Sequence, residues 1–585
     1  MYLLSLLSLA TLCLADFNIL LLHNNDMHAR FQQADRYLGL CPNDSSPDCY
    51  GGFARVKATA EAKKKDAAQA GRPTIFLNAG DTFQGTPYYT FFKWPIVSQF
   101  IDMLGIDVMS LGNHEFDDGV ASLSQYIANV SVPNICSNLN LTLEPSLQEP
   151  NLTPSFILNV SNVRIGVIGY LTPDTKFLSN VGKVDILDEI PSIRKEAQRL
   201  LAENVNILIA LGHSGYVKDQ QIAKEVEEID LVVGGHSHTF LYTGTPPDPV
   251  DVPKGPYPTV ISQASGKKVP VVQAYYGTKY LGYLELDFDD EGNLKSWNGA
   301  PILLSGDLPQ DPGVLAALQP YEKELHDKIN KIVGYTGVLL NNENSACRLG
   351  ECNIGDMLAD AYVDYATRAY TNSQGWTVAS VAIQQAGGIR ASINTRTNTN
   401  GNGSITVGDV MTVLPWGGKI VVKELNGSTL LDVLEYAVHR YEETNTGHVN
   451  EFLQVAGLKI VYNIQAAIGS RVVSVQVLCA DCTEPEYTPL NKSSLYQVAM
   501  PDYIGNGGDG FSMLTGIPNS YIFDDVDYVV LSQYIEKHSP VYPAVEGRIV
   551  VQNNTNGTSS ATTIYTSSIL NLSILAVLIW MLRVS

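Results

Sequence analysis

The sequence predicts an α/β protein of two domains, flanked by terminal segments that a mature chain would lose. Three observations carry this expectation. Near-continuous apolar runs of strand length each end in a polar cluster, stretches of helical length separate them, and beyond Pro301 strand-like runs return among Gly-rich loops. At 585 residues the chain exceeds one hydrophobic core, and a prior of about 150 residues per domain allows two to four.

In chain order, residues 1–15, MYLLSLLSLATLCLA, form an apolar run ending in a small residue. That is the shape of a secretory signal cleaved near Ala15, although no Lys or Arg precedes the run; a buried first strand is the alternative. Residues 16–310 are expected to form the first domain. Its strands read FNILLLHNNDMH, TIFLNAGD, DVMSLGNHEFDD, RIGVIGYLTPD, VNILIALGHSG and IDLVVGGHSHT, with FARVKATAEAKKKDAAQA and IPSIRKEAQRLLAEN as helices between strands. In sheets of this rhythm ligands collect beyond the carboxyl ends of the strands, where the polar clusters lie. Residues 311–336 read as a linker with a helix, and 337–550 as a second α/β or α+β domain with the loops QQAGGIR, LPWGG and PDYIGNGGDGF. Residues 551–585 place small residues around Asn556 to Ser560 ahead of a polar spacer and an apolar tail, Ile569 to Leu582, the order of a GPI-attachment signal. The tail is shorter than the span of about 20 residues a membrane helix needs, which is the competing reading.

Lys and Arg number 38 against 60 Asp and Glu, a formal charge of −22. Such a balance disfavours nucleic acid as a partner, and an anionic ligand would need local basic residues or metals. Sequons begin at Asn43, Asn129, Asn140, Asn151, Asn159, Asn402, Asn426 and Asn491, and with the terminal signals they point to an extracellular glycoprotein. Once Cys13 leaves with the signal, six cysteines fall into close pairs: Cys41 with Cys49, Cys347 with Cys352, and Cys479 with Cys482. In an oxidising compartment these are short-loop disulfides. A zinc knuckle is the rival, but no His or further Cys stands at finger spacing. Cys136 is left over as a buried free thiol.

The strand ends together supply Asp26 and His28, Asp81, Asn113 and His114, His213, then His236 and His238. Any one alone is ordinary loop chemistry. As a set, carboxylate and amide oxygens with several imidazoles suit Zn, Mn or Fe, and a shared Asp can bridge two ions.

The order D-x-H, G-D, G-N-H-E, G-H, G-H-x-H resembles the calcineurin-like metallophosphoesterases, and within them the ecto-5'-nucleotidases of the 5'-nucleotidase/apyrase family. LLHNNDMHARF, GGFARV, NAGDTFQGT, SLGNHEFDDG, IALGHSG, VVGGHSHTFLYTG and YPAVEGRI carry the resemblance over nearly the whole mature chain. It implies a four-layer αββα first domain and a second domain that binds the nucleotide. Two divalent metal ions, zinc in the first instance, are implied: Asp26, His28 and His238 on one, Asn113, His213 and His236 on the other, Asp81 between them. Several relatives carry an amide at the position of His238, which touches metal preference more than activity. His114 would stabilise charge on the transferring phosphoryl group or leaving oxygen, oriented by Asp117. A carboxylate one helical turn from an imidazole can meet it and favours its charged form.

The resemblance further gives Arg348 and Arg390 to the phosphate, Trp416 and Tyr503 to stacking on the base, where relatives usually have Phe, Gln385 to the base and Asp509 to the ribose hydroxyls. Gln385 stands where relatives carry Asn, and Gly350 where they often carry a second Arg; a further cysteine pair of vertebrate members is absent. The implied activity is extracellular hydrolysis of AMP and other nucleoside 5'-monophosphates by a homodimer held by GPI on the outer face of the plasma membrane, its domains rotating to bring substrate to the metals. The alternatives are an apyrase taking ATP and ADP, and a catalytically silent surface-binding protein.

Overall fold

Alternate residues of strand β1 (Phe17–Asn24) enter different cores, as the two-residue repeat of a strand requires. Leu20 and Leu22 join an apolar cluster shared with helices, whereas Ile19 and Leu21 join one shared with a second sheet. Each such fully buried side chain contributes about 1.5–3 kcal/mol. The structure, a computed structural model, describes residues 17–35, 39, 41, 48–342, 346–369, 375–394, 402–441 and 449–552. The expected signal, Asn43 and the C-terminal tail lie outside them.

Strands β2 (Thr74–Asn78) and β3 (Val108–Ser110) extend the first sheet parallel to β1. The second sheet runs through β4 (Val163–Leu171), β5 (Ile207–His213), β6 (Leu231–Val233) and β7 (Lys268–Val272), all parallel. Strand β8 (Tyr280–Phe288) returns antiparallel to β1. Helices α1 (Phe53–Gln69), α2 (Pro87–Leu104) and α3 (Gly119–Asn129) cover the first sheet, and α4 (Glu189–Ala202) and α5 (Tyr216–Glu225) the second. The stack is therefore α, β, β, α, as the resemblance implies, and the carboxyl ends of both parallel runs reach one edge.

Helix α6 (Pro312–Ile329) is started by Asp311, whose carboxylate accepts the Val314 N–H at 2.8 Å, with Pro312 in the first turn. Its Val314, Leu318 and Leu325 are buried in the first domain's core, and Tyr321 donates to Gln99. The strand that follows, β9 (Ile332–Tyr335), pairs with Ser404–Thr406. Second-domain structure thus begins inside the stretch expected as linker. A strand of four residues leaves too short a period to read.

The second domain centres on a mixed sheet of β10 (Val381–Gln385), β11 (Lys419–Asn426), β12 (Leu453–Ala456), β13 (Leu495–Pro501) and β14 (Asn519–Val526), in the order β12, β10, β13, β11, β14. Helix α7 (Asn353–Ala369) packs on it. Helix α8 (Val407–Val413) opens with a capping box between Thr406 and Asp409, and its Met411 is buried in the first domain's core. The three expected disulfides are formed. Cys136 is a buried free thiol, and burial pushes its pKa up to about 12, which keeps it inert.

Candidate active site

At the shared strand edge the backbone bends sharply. Asp26, His28, Asp81, His236 and His238 all take positive φ, between 48° and 74°. Non-glycine residues in that region cost about 1–3 kcal/mol each, and persist only where neighbours hold them. Here they are held by one another's loops: Asp26 N–H donates to Gly80 O, His28 N–H to Asp81 O, and His236 N–H to the Asp26 carboxylate. Close approach needs glycine at Gly112, where a Cβ would fall 2.2 Å from Asp81 Oδ1, and at Gly235, where it would fall 2.7 Å from His213 Nδ1.

The bends bring the expected donors together. Asp26, His28 and His238 form one group, and Asp81, His213 and His236 another, with ligand atoms inside each group within 4.8 Å of one another. His28 Nε2 and His238 Nε2 are 3.0 Å apart, and His238 Nε2 is 3.2 Å from Asp26 Oδ1. Asn113 Oδ1 lies 2.9 Å from His236 Nδ1, which brings the amide to the second group. His213 Nδ1 donates to Ala79 O at 2.7 Å, which turns Nε2 to Asp81 Oδ2, 2.9 Å away; with a metal ion bound, that nitrogen would offer its lone pair to the ion.

The electrostatics fit divalent cations. Burial, reinforced by Arg390, holds His28 and His238 well below the ordinary imidazole range, and burial with His213 brings His236 to about 4, so all three are neutral donors. Burial opposes charge on His213 as well, but Asp81 and Asp26 overcome it and push its pKa up to about 10. The buried carboxylates therefore demand positive charge, which metal ions would supply.

The residues His114 and Asp117 meet as expected. A single turn of 3-10 helix over His114–Phe116 brings Asp117 Oδ2 to 2.7 Å from His114 Nδ1. Burial would lower the His114 pKa, but Asp117 and Asp81 outweigh it and raise it above the ordinary value. Asp117 Oδ1 accepts the Ser179 hydroxyl at 2.7 Å.

A cavity of about 960 Å³ joins this edge to the second domain, and Arg348, Gln385, Arg390, Trp416, Tyr503 and Asp509 all line it. Arg390 reaches deepest, with Nη2 3.2 Å from His28 Nε2. Arg348 is buried and its Nε–H donates to Asn450 Oδ1 at 3.0 Å. Asp509, also at positive φ, donates its backbone N–H to the Tyr503 oxygen. Burial, with the charge of Glu451, pushes the Asp509 pKa up to about 6.

Three contributors were not legible in the sequence. Glu115, wholly buried, accepts the backbone N–H groups of Gly112, Asp81, Thr82 and Phe83 and the Thr82 hydroxyl, at 2.6–3.2 Å. It binds two ligand-bearing loops to each other. Gln273 does similar work for the loop of His236 and His238: its amide donates to Asp219 and Gly235 O and accepts the Thr239 N–H. Asn450 braces Arg348. The only signal for Glu115 was its place inside GNHEF.

Comparison with known proteins agrees with this geometry. Residues 19–240 match the family model for calcineurin-like phosphoesterases, and 332–516 that for the 5'-nucleotidase C-terminal domain. The chain is 40% identical to human 5'-nucleotidase, covering 91% of each chain, and 40% identical to the snake venom 5'-nucleotidase of Crotalus adamanteus, covering 92% of this chain and 90% of that one. The crystal structure of the 5'-nucleotidase precursor from Thermus thermophilus superposes with a TM-score of 0.81 at 33% identity, over 92% of this chain and all of the other. With both domain models matched in order and identity sustained over nine-tenths of full-length relatives, the chain belongs to the 5'-nucleotidase family.

Proposed function

We propose that the protein hydrolyses nucleoside 5'-monophosphates, AMP foremost, to nucleoside and phosphate. The observation that carries this reading is one cavity bounded on one side by Asp81, Asn113, His236 and His238 and on the other by two arginines, two aromatic rings and Asp509. The human and snake venom relatives are named for the same activity.

Asp26, His28 and His238 would hold one divalent ion, Asn113, His213 and His236 a second, with Asp81 between them. The chemistry two such ions supply is activation of a water for attack and neutralisation of charge on the phosphoryl group. Zinc suits this imidazole-rich set. The Arg348 and Arg390 guanidinium forks bind the phosphate and fix its orientation. His114, its Nδ1–H given to Asp117, keeps Nε2 toward the cavity and there holds a proton against charge building on the phosphoryl or leaving oxygen. Trp416 and Tyr503 stack on the base, Gln385 meets its edge, and Asp509 accepts from the ribose hydroxyls.

The test compares AMP with a small aryl phosphomonoester that has no base. Relative to Tyr503→Phe, which keeps the ring, Tyr503→Ala should cost about a further tenfold or more in kcat/KM for AMP through lost stacking, with little further change for the aryl ester. Equal losses on both substrates would contradict the assignment of the second domain to the nucleotide.

We infer further a secreted glycoprotein carried on the outer face of the plasma membrane by GPI, working as a homodimer. Three disulfides support an oxidising compartment. No helix among the described residues is long and apolar enough to cross a membrane. Homodimerisation rests on the family resemblance, and sedimentation of the purified chain decides it; release from cells by a GPI-specific phospholipase C decides the anchor.

A further inference from the structure

Across the cavity, two aromatic side chains of the second domain make polar contacts with the first. The Trp416 indole N–H points at Asp117 Oδ2, 3.4 Å away. Its ring lies 6.1 Å from that of His114, and the Arg390 guanidinium sits over it at 5.4 Å. The Tyr503 hydroxyl lies 3.2 Å from the Leu178 carbonyl oxygen and 3.4 Å from that of Phe177, with Asp509 Oδ1 of its own domain, at 3.1 Å, competing for its single proton.

Both contacts end on one small unit. Phe177 and Leu178 close the helical turn Thr175–Leu178, and the next residue, Ser179, donates its hydroxyl to Asp117 Oδ1. The segment that meets Tyr503 therefore also secures the carboxylate that meets Trp416. That carboxylate in turn orients His114 through Nδ1. A phenyl ring at either position would offer a base the same apolar face and bridge nothing.

We propose that Trp416 and Tyr503 are positioning residues that latch the second domain onto the His114–Asp117 pair, so that docking of the base and alignment of the imidazole are set by one closure. Away from the cavity the domains meet through an apolar contact, Met411 of α8 being buried in the first domain's core. The proposal rests on the nucleotide-hydrolysis reading for the role of His114, but the latch is observable without turnover.

The test uses the full chain carrying Trp416→Phe and Tyr503→Phe, singly and together, with spin labels on exposed Lys195 and Gln476. Trp416→Phe is expected to raise the ratio of long to short interdomain separation by about threefold to tenfold, the worth of one hydrogen bond, and Tyr503→Phe by less, because Asp509 shares its proton. The double variant should show the product of the two. For AMP, Trp416→Phe should lower kcat with KM held, because the ring face remains; Tyr503→Phe also frees Asp509, so the split between kcat and KM is read on Trp416→Phe. An unchanged distance distribution in the double variant would overturn the latch, as would a rise in KM with kcat unchanged in Trp416→Phe, which would leave that ring as a stacking surface alone. Wild-type protein that fails to turn over AMP would overturn the hydrolysis reading, with the distances still deciding the latch.

Discussion

Asp81 reaches both the donor cluster and the His114 loop: Oδ2 lies 2.9 Å from His213 Nε2, while Oδ1 accepts the His114 backbone N–H. Asp81→Asn keeps the shape and removes the charge, so kcat for AMP should fall by about 10³-fold or more, with metal content falling in parallel by elemental analysis. Glu115 is the second critical carboxylate. Glu115→Ala leaves several buried N–H groups without an acceptor and should cost about 3 kcal/mol or more in unfolding free energy, with weaker metal binding by calorimetry. Stability and affinity equal to wild type would show that the loops do not need it. Asp509 allows a test by pH. Its pKa, raised to about 6 by burial and Glu451, means the carboxylate is charged above that pH and neutral below it. As pH falls through about 6, KM for AMP should rise in wild type. The phosphate of AMP titrates in the same range, so Asp509→Asn provides the baseline: it should lose the part of the pH dependence that belongs to the carboxylate.

The elements explain what could be read in advance. In β1 the apolar run with a polar end forecast both the layering and the site, because strand periodicity and the carboxyl-edge rule are local. Asp26, Asp81, Asn113 and His213 were legible for that reason. Glu115, Gln273 and Asn450 were not: each acts by gathering backbone or amide groups from segments that only the folded chain makes neighbours. The glycines at strand ends belong to the same level. Gly112→Ala should force Asp81 off its position and lower metal affinity, whereas Gly244→Ala, with open space around its Cβ, should not; that contrast is measurable by metal titration. Among the sequons, Asn151 spends its amide on the carbonyls of Ile127, Val130 and Val132, while Asn129, Asn159 and Asn426 are exposed. Peptide mapping after enzymatic deglycosylation should find glycan on exposed sites and none on Asn151.

At the level of the whole molecule, neither domain is sufficient. The first assembles the donors and the His114–Asp117 pair; the second brings Arg390 to within 3.2 Å of His28 and closes the cavity over them. Domain order and the linker helix were legible in the sequence, but that helix lies on the first domain and the second starts at once with β9, a division set by packing rather than composition. On the proposed reading, Gln385 and Gly350, where a Cβ would meet open space, are the positions at which substrate choice would diverge toward ADP and ATP. The decisive measurement is phosphate release by the purified protein from AMP, ADP and ATP, each with divalent metal present, after chelation, and after metal is restored. Turnover of AMP that chelation removes and zinc restores is the expected result. Preference for ADP or ATP, or no turnover with both metal positions filled, would contradict it.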